Sequence, residues 1–493
     1  MKKIVLLIQV IIFAFSGAIA QSDVDALRYS TIEFGGTARY NSMAGAFGAL
    51  GGDFSTLSSN PAGIAVFKKS DLSITPSFYF SNANTAYNGT AGSDDRFNFN
   101  LGNAGFVIVM PPEGQSSSSI LKNFQIGFGV NRVNNFNSRT VIQGNNDKNS
   151  ISTYFADQAY GIPSDEIEQD YDGYYTYDLN PAWWTYMIDT IPGYNDQYYG
   201  IAEQGGVFQK KEINTWGSMN EMVFSIGANI SDRLYLGGTL GVPFIRYFEQ
   251  AMYREKNIEG NVQYFDRLQV YDDLHTTGSG INLKFGMIVR PVNFLRIGAA
   301  IHSPTWFNNM KDYWYSDFSN TAYGDTYTQT TPRGTYNYDL QTPWRAIGSV
   351  SVVLWRMALL SADYEYVDYS SAKFRSRSVY DYDFNSENSA IKDKYTATQN
   401  IRLGAEVRFG HFAVRGGAAL YGSPYKPGIN DAEKIYYTGG FGFRDKNFYI
   451  DLAYVRSEKK EDYYLYNSQY VSTNAAATEL TTNNIMLTIG VRY

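Results

Sequence analysis

Apolar and polar residues alternate one for one along residues 280–290. Ile281, Leu283, Phe285, Met287 and Val289 occupy one parity; Asn282, Lys284, Gly286 and Arg290 occupy the other, with Ile288 the exception. The pattern returns at 400–409, where Ile401, Leu403, Ala405, Val407 and Phe409 share one parity and Arg402, Gly404, Glu406 and Arg408 the other. Successive side chains of a strand point to opposite faces, so each segment has one greasy face and one polar or small face. Similar segments centre on 73–80, 98–110, 123–131, 219–230, 234–248, 295–303, 342–354, 358–367, 412–421, 434–444, 448–456 and 484–493. The total is about fourteen, and an even set of such strands predicts an all-β fold, a transmembrane antiparallel β-barrel.

The connections support that reading. Short links fall at 231–233, 291–294, 355–356, 410–411 and 445–447; long ones fall at 132–218, 249–279, 304–341, 368–399, 422–433 and 457–483. Short periplasmic turns alternate with long extracellular loops in bacterial barrels. Counted back from a last strand that ends in the periplasm, every short link lands on the periplasmic side. Link 81–97 is then external and link 111–122 periplasmic. The last strand sets Ile485, Leu487, Ile489, Val491 and the terminal Tyr493 on one face, the form read by the barrel assembly machinery, which is an expected partner.

Cost decides which face looks inward. Arg or Lys on the lipid face near the midplane costs about 2–4 kcal/mol, so Arg402 and Arg408, flanking Glu406, face the lumen. Lys284, Arg290, Arg296, Asp363, Glu365, Arg415 and Asp451 follow them. Such charges pair with one another or receive a ligand carboxylate, and Arg402 and Arg408 are the ligand-binding candidates of this kind.

Composition narrows the function. Gly 45, Tyr 42 and Phe 31 stand against Cys 0 and His 3; aromatics suit interfacial girdles, and the missing cysteine removes disulfides, zinc-thiolate sites and thiol nucleophiles. A net charge of −7 argues against nucleic acid, which wants a basic face. His275, His302 and His411 show no metal-ligand spacing, and no catalytic triad or phosphate loop is evident. Asp170-Tyr171-Asp172-Gly173 lacks the later ligands of a calcium loop. No enzyme activity, metal or cofactor is expected. Lys2 and Lys3, the apolar run from Ile4 to Phe15, and Ala18-Ile19-Ala20 make 1–20 a signal peptide. Export followed by insertion as strands means the outer membrane of a Gram-negative bacterium, with its lipid as surroundings.

Residues 21–69 show no alternation and are rich in glycine. There Gly36-Thr37-Ala38-Arg39-Tyr40-Asn41-Ser42-Met43-Ala44-Gly45-Ala46-Phe47, Gly52-Asp53 and Asn60-Pro61-Ala62-Gly63-Ile64-Ala65 resemble the start of the FadL/TodX family, outer-membrane transporters of long-chain fatty acids and other hydrophobic compounds. Thr342-Pro343-Trp344, residues 360–366 and residues 400–406 extend the likeness. Ser58-Ser59 depart from it, since family members often carry aromatics before Asn-Pro-Ala. The resemblance implies a hatch over 21–69, gated by Asn60, Pro61, Ala62 and Gly63, inside the barrel of 70–493. It also implies passive uptake of a hydrophobic small molecule, most often a fatty acid, with lateral release at the third strand (125–131). Gly127 and Gly129 there either permit a departure from pairing or are plain inward glycines, and Phe128 is a ligand-binding candidate.

The external link 132–218 carries Phe155, Tyr160, Tyr171, Tyr174, Tyr175, Tyr177, Trp183, Trp184, Tyr186, Tyr194 and Tyr198. Either the rings form a mini-core, or they line an outer groove that first takes a greasy ligand; Trp183 and Trp184 are candidates for that contact. A helix is expected over 181–189, with Pro181 in its first turn and Asn180 as cap. Two other functions compete: an adhesive barrel that binds a partner through these aromatic loops, and a polar diffusion porin with an open charged bore.

Overall fold

A computed structural model describes residues 22–111, 120–258, 260–355, 357–377, 382–468 and 470–493. The expected signal peptide and most of link 111–122 lie outside the described residues. Fourteen strands close into an antiparallel barrel, the first paired with the last. They are β1 (Asp71–Tyr87), β2 (Thr90–Met110), β3 (Leu121–Asn135, continued by Ser138–Asn146), β4 (Val207–Ile230), β5 (Leu234–Asn257), β6 (Phe265–Val292), β7 (Leu295–His302, continued by Trp306–Ala322), β8 (Arg345–Leu354, preceded by Gly334–Gln341), β9 (Ala358–Asp368), β10 (Ala397–Phe409), β11 (Phe412–Tyr421), β12 (Lys434–Arg444), β13 (Phe448–Tyr463) and β14 (Ala476–Arg492).

The faces are inverted relative to a water-soluble sheet. Leu403 is 52% exposed while its neighbour Arg402 is 3% exposed, as required when hydrocarbon lies outside. No helix among the described residues is long and apolar enough to cross a membrane. The chain is thus a β-barrel of the outer-membrane type.

All the expected strands are present, but several run further outward. Link 249–279 is mostly the paired tops of β5 and β6, from Arg246 opposite Thr277 up to Lys256 opposite Arg267. Link 304–341 is a hairpin-rich extension of β7 and β8. Above the bilayer no lipid face is needed, so alternation fades while backbone pairing continues. His275 accordingly lies within β6. Link 81–97 collapses to the two-residue turn Asn88-Gly89, both with positive φ, the turn that matches strand twist. Proline interrupts the wall at Ser303-Pro304-Thr305 and Thr342-Pro343-Trp344. Having no N–H to give the ladder, these breaks pair with each other: Thr305 N donates to Thr342 Oγ1 at 2.9 Å, and Thr342 N to the Thr305 carbonyl at 3.0 Å.

Candidate functional site

Residues 31–67 lie in the lumen and touch inward side chains around the whole wall. Asn60 caps the short helix Pro61–Val66, its Oδ1 accepting from Ala62 N at 3.1 Å. Its Nδ2 donates to the carbonyls of Gly48 at 2.6 Å and of Met287 on β6 at 3.3 Å. The wall makes room with glycine. Gly227, Gly237 and Gly286 stand side by side on β4, β5 and β6. A Cβ on Gly286 would meet Asn60 Oδ1 at 1.9 Å, one on Gly237 the Pro61 carbonyl at 2.2 Å, and one on Gly227 the Ile64 side chain at 2.3 Å. Ile288, the exception in the alternation, is buried on this inward face with Ala62, Ala65 and Tyr235. Gly63 packs edge-on against Thr56.

Wall charges grip the rest of the segment. Glu406 is buried among Arg39 (3.0 Å), Arg408 (2.6 Å) and Arg415, which also binds Asp451 at 2.6 Å. Asp363 accepts from Gly48 N at 3.0 Å. Lys284, paired with Glu221, donates to the Ser58 carbonyl at 3.2 Å, and His302 Nε2 lies 2.6 Å from the Ser59 carbonyl. Ser58 and Ser59, the departure from the resemblance, thus both offer their backbone carbonyls to the wall. Arg402 pairs with Glu365 at 3.2 Å, and its side chain lies 4.0 Å from Asp363. With Ser58, Ser59, His302 and Tyr421 it lines a cavity of about 30 Å³, room for a water rather than an acyl chain.

The wall itself has a gap. β2 pairs with β3 only from Asn103 to Met110, although β1 pairs with β2 up to Thr90. β3 breaks register against β4 between Arg132 and Asn134. Its continuation stays on β4 and passes beneath the β1–β2 hairpin, where Thr85 Oγ1 donates to the Val141 carbonyl at 2.6 Å. The departure thus begins past Asn131 and not at Gly127 or Gly129, which remain paired. Their missing side chains admit Leu57, Ile64 and Phe54 instead. The lumen segment lies against the inside of the gap: Glu33 N donates to the Val133 carbonyl at 2.9 Å, Asn134 Nδ2 to the Thr31 carbonyl at 3.0 Å, and Asn131 Nδ2 to Ser58 Oγ at 3.0 Å. On the lipid side, Phe97, Phe99 and Leu101 of β2 are exposed beside it.

Asn60–Gly63 sit against β5 and β6, Arg402 lines the small cavity beside Ser58 and Ser59, and the other candidates lie apart. Arg408 is spent on Glu406. Phe128 points outward between Phe106 and Phe224, at centroid distances of 5.8 and 4.8 Å. Trp183 and Trp184 belong to the extracellular mouth, where Trp183 meets Tyr198 at 6.2 Å and Trp184 Nε1 donates to the Glu168 carbonyl at 3.2 Å. The helix there spans Leu179–Trp184 and not 181–189. Asp178, not Asn180, caps it, while Asn180 Nδ2 ties down the Ile167 carbonyl at 2.8 Å and Ile188–Thr190 pairs as a strand with Tyr198–Gly200. Burial pushes the Asp178 carboxyl up to about 7. Phe155 and Tyr198 sit in a core with Ile151, Leu179, Tyr253 and Phe318, whereas Tyr160, Tyr171 and Tyr194 remain exposed. Among the described residues no His, Asp and Glu are grouped to hold a metal ion.

A closed fourteen-strand barrel with its own N-terminal segment in the lumen defines a class of outer-membrane protein. No family model and no curated protein matches the chain. Solved structures do. A Pseudomonas aeruginosa FadL homologue is similar at TM-score 0.54 and 12% identity, over 94% of this chain and 99% of that one. The Pseudomonas putida toluene transporter TodX gives 0.52 and 10%, over 94% and 99%, and the Ralstonia pickettii toluene transporter TbuX 0.50 and 13%, over 93% and 99%. The chain has the FadL/TodX fold.

Proposed function

We propose that the protein takes up hydrophobic molecules across the outer membrane passively, long-chain fatty acids foremost. Residues 31–67 act as the hatch, and release is sideways through the gap between β2 and β3. One observation carries the reading: the gap is stoppered from inside by the chain's own N-terminal segment and bordered outside by lipid-facing rings. A polar solute gains nothing from such an exit. An 18-carbon chain leaving water for hydrocarbon gains on the order of 10 kcal/mol, at roughly 0.8 kcal/mol per CH₂, so no energy coupling is required. The filled lumen, with apolar clusters at the mouth and mid-barrel, disfavours an open diffusion porin. The exposed Tyr160, Tyr171 and Tyr194 are also what an adhesive surface would present, and they are where a ligand first lands in the favoured reading.

The chain has no cysteine, which permits a clean test. In Ser58→Cys/Asn131→Cys, oxidation ties the hatch to β3 beside the gap. Labelled-oleate uptake by cells lacking other fatty-acid transporters is expected with wild type and with the reduced variant, and is lost on oxidation. Equal uptake by the oxidised and reduced forms rejects the lateral route; no wild-type uptake rejects the fatty acid.

A further inference from the structure

The outer surface of the wall just above the bilayer carries an ordered set of cations. Ile281 on β6 stands beside Trp306 on the β7 continuation, and one row higher Phe244 on β5, opposite Ser279, ends the apolar band below the cations. Two rows above Ile281, Arg246 on β5, Thr277 on β6, Lys311 on the β7 continuation and Asn337 on Gly334–Gln341 lie side by side. The row above them is aromatic. Trp216 stacks on Phe248 at 5.1 Å with planes 4° apart, Phe248 on His275 at 4.2 Å, and His275 on Tyr313 at 5.8 Å.

Arg246 and Lys311 flank Thr277 from the two neighbouring strands, about 10 Å apart at their backbones. Among the described residues neither lies within ion-pair distance of a carboxylate. The nearby acids are engaged elsewhere: Asp273 accepts from Gln250 at 2.9 Å and Tyr271 at 3.0 Å, and Asp339 sits 3.7 Å from Arg377. Lys311 Nζ rests 4.5 Å over the Tyr313 ring. Lys311, Asn337 and Arg377 border a surface cavity of about 360 Å³.

We propose that this row binds a phosphorylated glycolipid of the outer leaflet, seating one phosphate between Arg246 and Lys311 over the Thr277 hydroxyl. Two flexible cations converging on one dianion form charge-assisted hydrogen bonds, and the flat ring row above offers its faces to the sugar. Position selects the occupant: the cations stand at the height where hydrocarbon ends and lipid phosphates begin, and their side chains face away from the lumen.

The test uses the full barrel in phosphatidylcholine nanodiscs, titrated with bisphosphorylated lipid A and with its dephosphorylated form, bound lipid being counted by native mass spectrometry. Wild type is expected to bind the phosphorylated lipid at least tenfold more tightly. Arg246→Ala/Lys311→Ala loses that preference, while Arg246→Lys/Lys311→Arg keeps it, and both retain oleate uptake. Equal wild-type affinity for the two lipids overturns the proposal without reference to any variant. So does an unchanged preference in the double alanine variant, or full displacement of lipid A by millimolar inorganic phosphate, which would make the site one for a free anion.

Discussion

In the lower lumen, residues 37–63 meet the wall through directed polar contacts set among small apolar clusters: Asn60 on the Met287 carbonyl, Asp363 on Gly48 N, Arg39 on Glu406. At the extracellular mouth one large apolar core dominates the filling, shared by Phe155, Leu179, Ile188, Tyr198 and Phe318, beside a buried polar knot of Gln209 and Glu255. Both regions block the bore, yet they answer different demands. An apolar core holds by area and loosens all at once. A polar contact set is directional, and each bond can be exchanged for one to water as the segment moves. The lower contact set suits the hatch proposed above, which must leave and return to one seat, and the upper core suits a platform that keeps its shape.

The comparison breaks most sharply at Glu406. Glu406→Gln leaves Arg39, Arg408 and Arg415 without their shared carboxylate, and opening a buried ion pair costs about 3–5 kcal/mol. Thermal unfolding in detergent is expected to fall steeply, with the extracellular loop melting together with the barrel. Phe155→Ala is expected to remove about 3 kcal/mol from the upper core alone. Proteolysis within 132–218 then accelerates while the barrel transition stays in place. A joint shift would mean that the two regions are a single unit.

Gly286→Ala tests the seat itself. Its methyl group collides with Asn60 Oδ1, and overpacking costs about 1–3 kcal/mol. The expected outcome is faster protease cleavage in residues 37–63 and leakage of small polar dyes. Gly348→Ala, which meets open space on the lipid face, is the control and is expected to be silent.

The seat was partly legible in advance. Alternation placed the strands and the inward charges because a membrane barrel enforces it at every residue of its lipid band. The interruptions mark where the N-terminal segment packs against the wall. Ile288 breaks parity because Ala62 and Ala65 lie on it, and inward Val107 and Val223 pack on Phe54, Leu57 and Ile64. Gly237 and Gly286 looked like any small inward residue; only the register that aligns them with Gly227 makes them a shelf. The strand extensions above the bilayer were illegible for the opposite reason, since nothing there obliges one parity to be apolar. Asn88-Gly89 did carry a turn signature within its expected loop.

The smallest expected effect is a pH dependence confined to the mouth. Asp178 is held by desolvation in its neutral form up to about pH 7, while its side chain still accepts from Leu179 N at 2.6 Å. Between the ordinary carboxylate value and about 7, the opened loop gives up a proton that the packed loop retains. Loop stability is therefore full in acid and declines as pH rises through that window. Hydrogen-exchange protection factors over 150–200 are expected to be higher at pH 5 than at pH 8, with those in residues 37–63 unchanged. Asp178→Asn keeps the cap acceptor and has no proton to lose, so it should flatten the dependence at the acid level of protection. A dependence that survives in Asp178→Asn, or one that appears equally in residues 37–63, would assign the titration to another group and remove this distinction between the two regions.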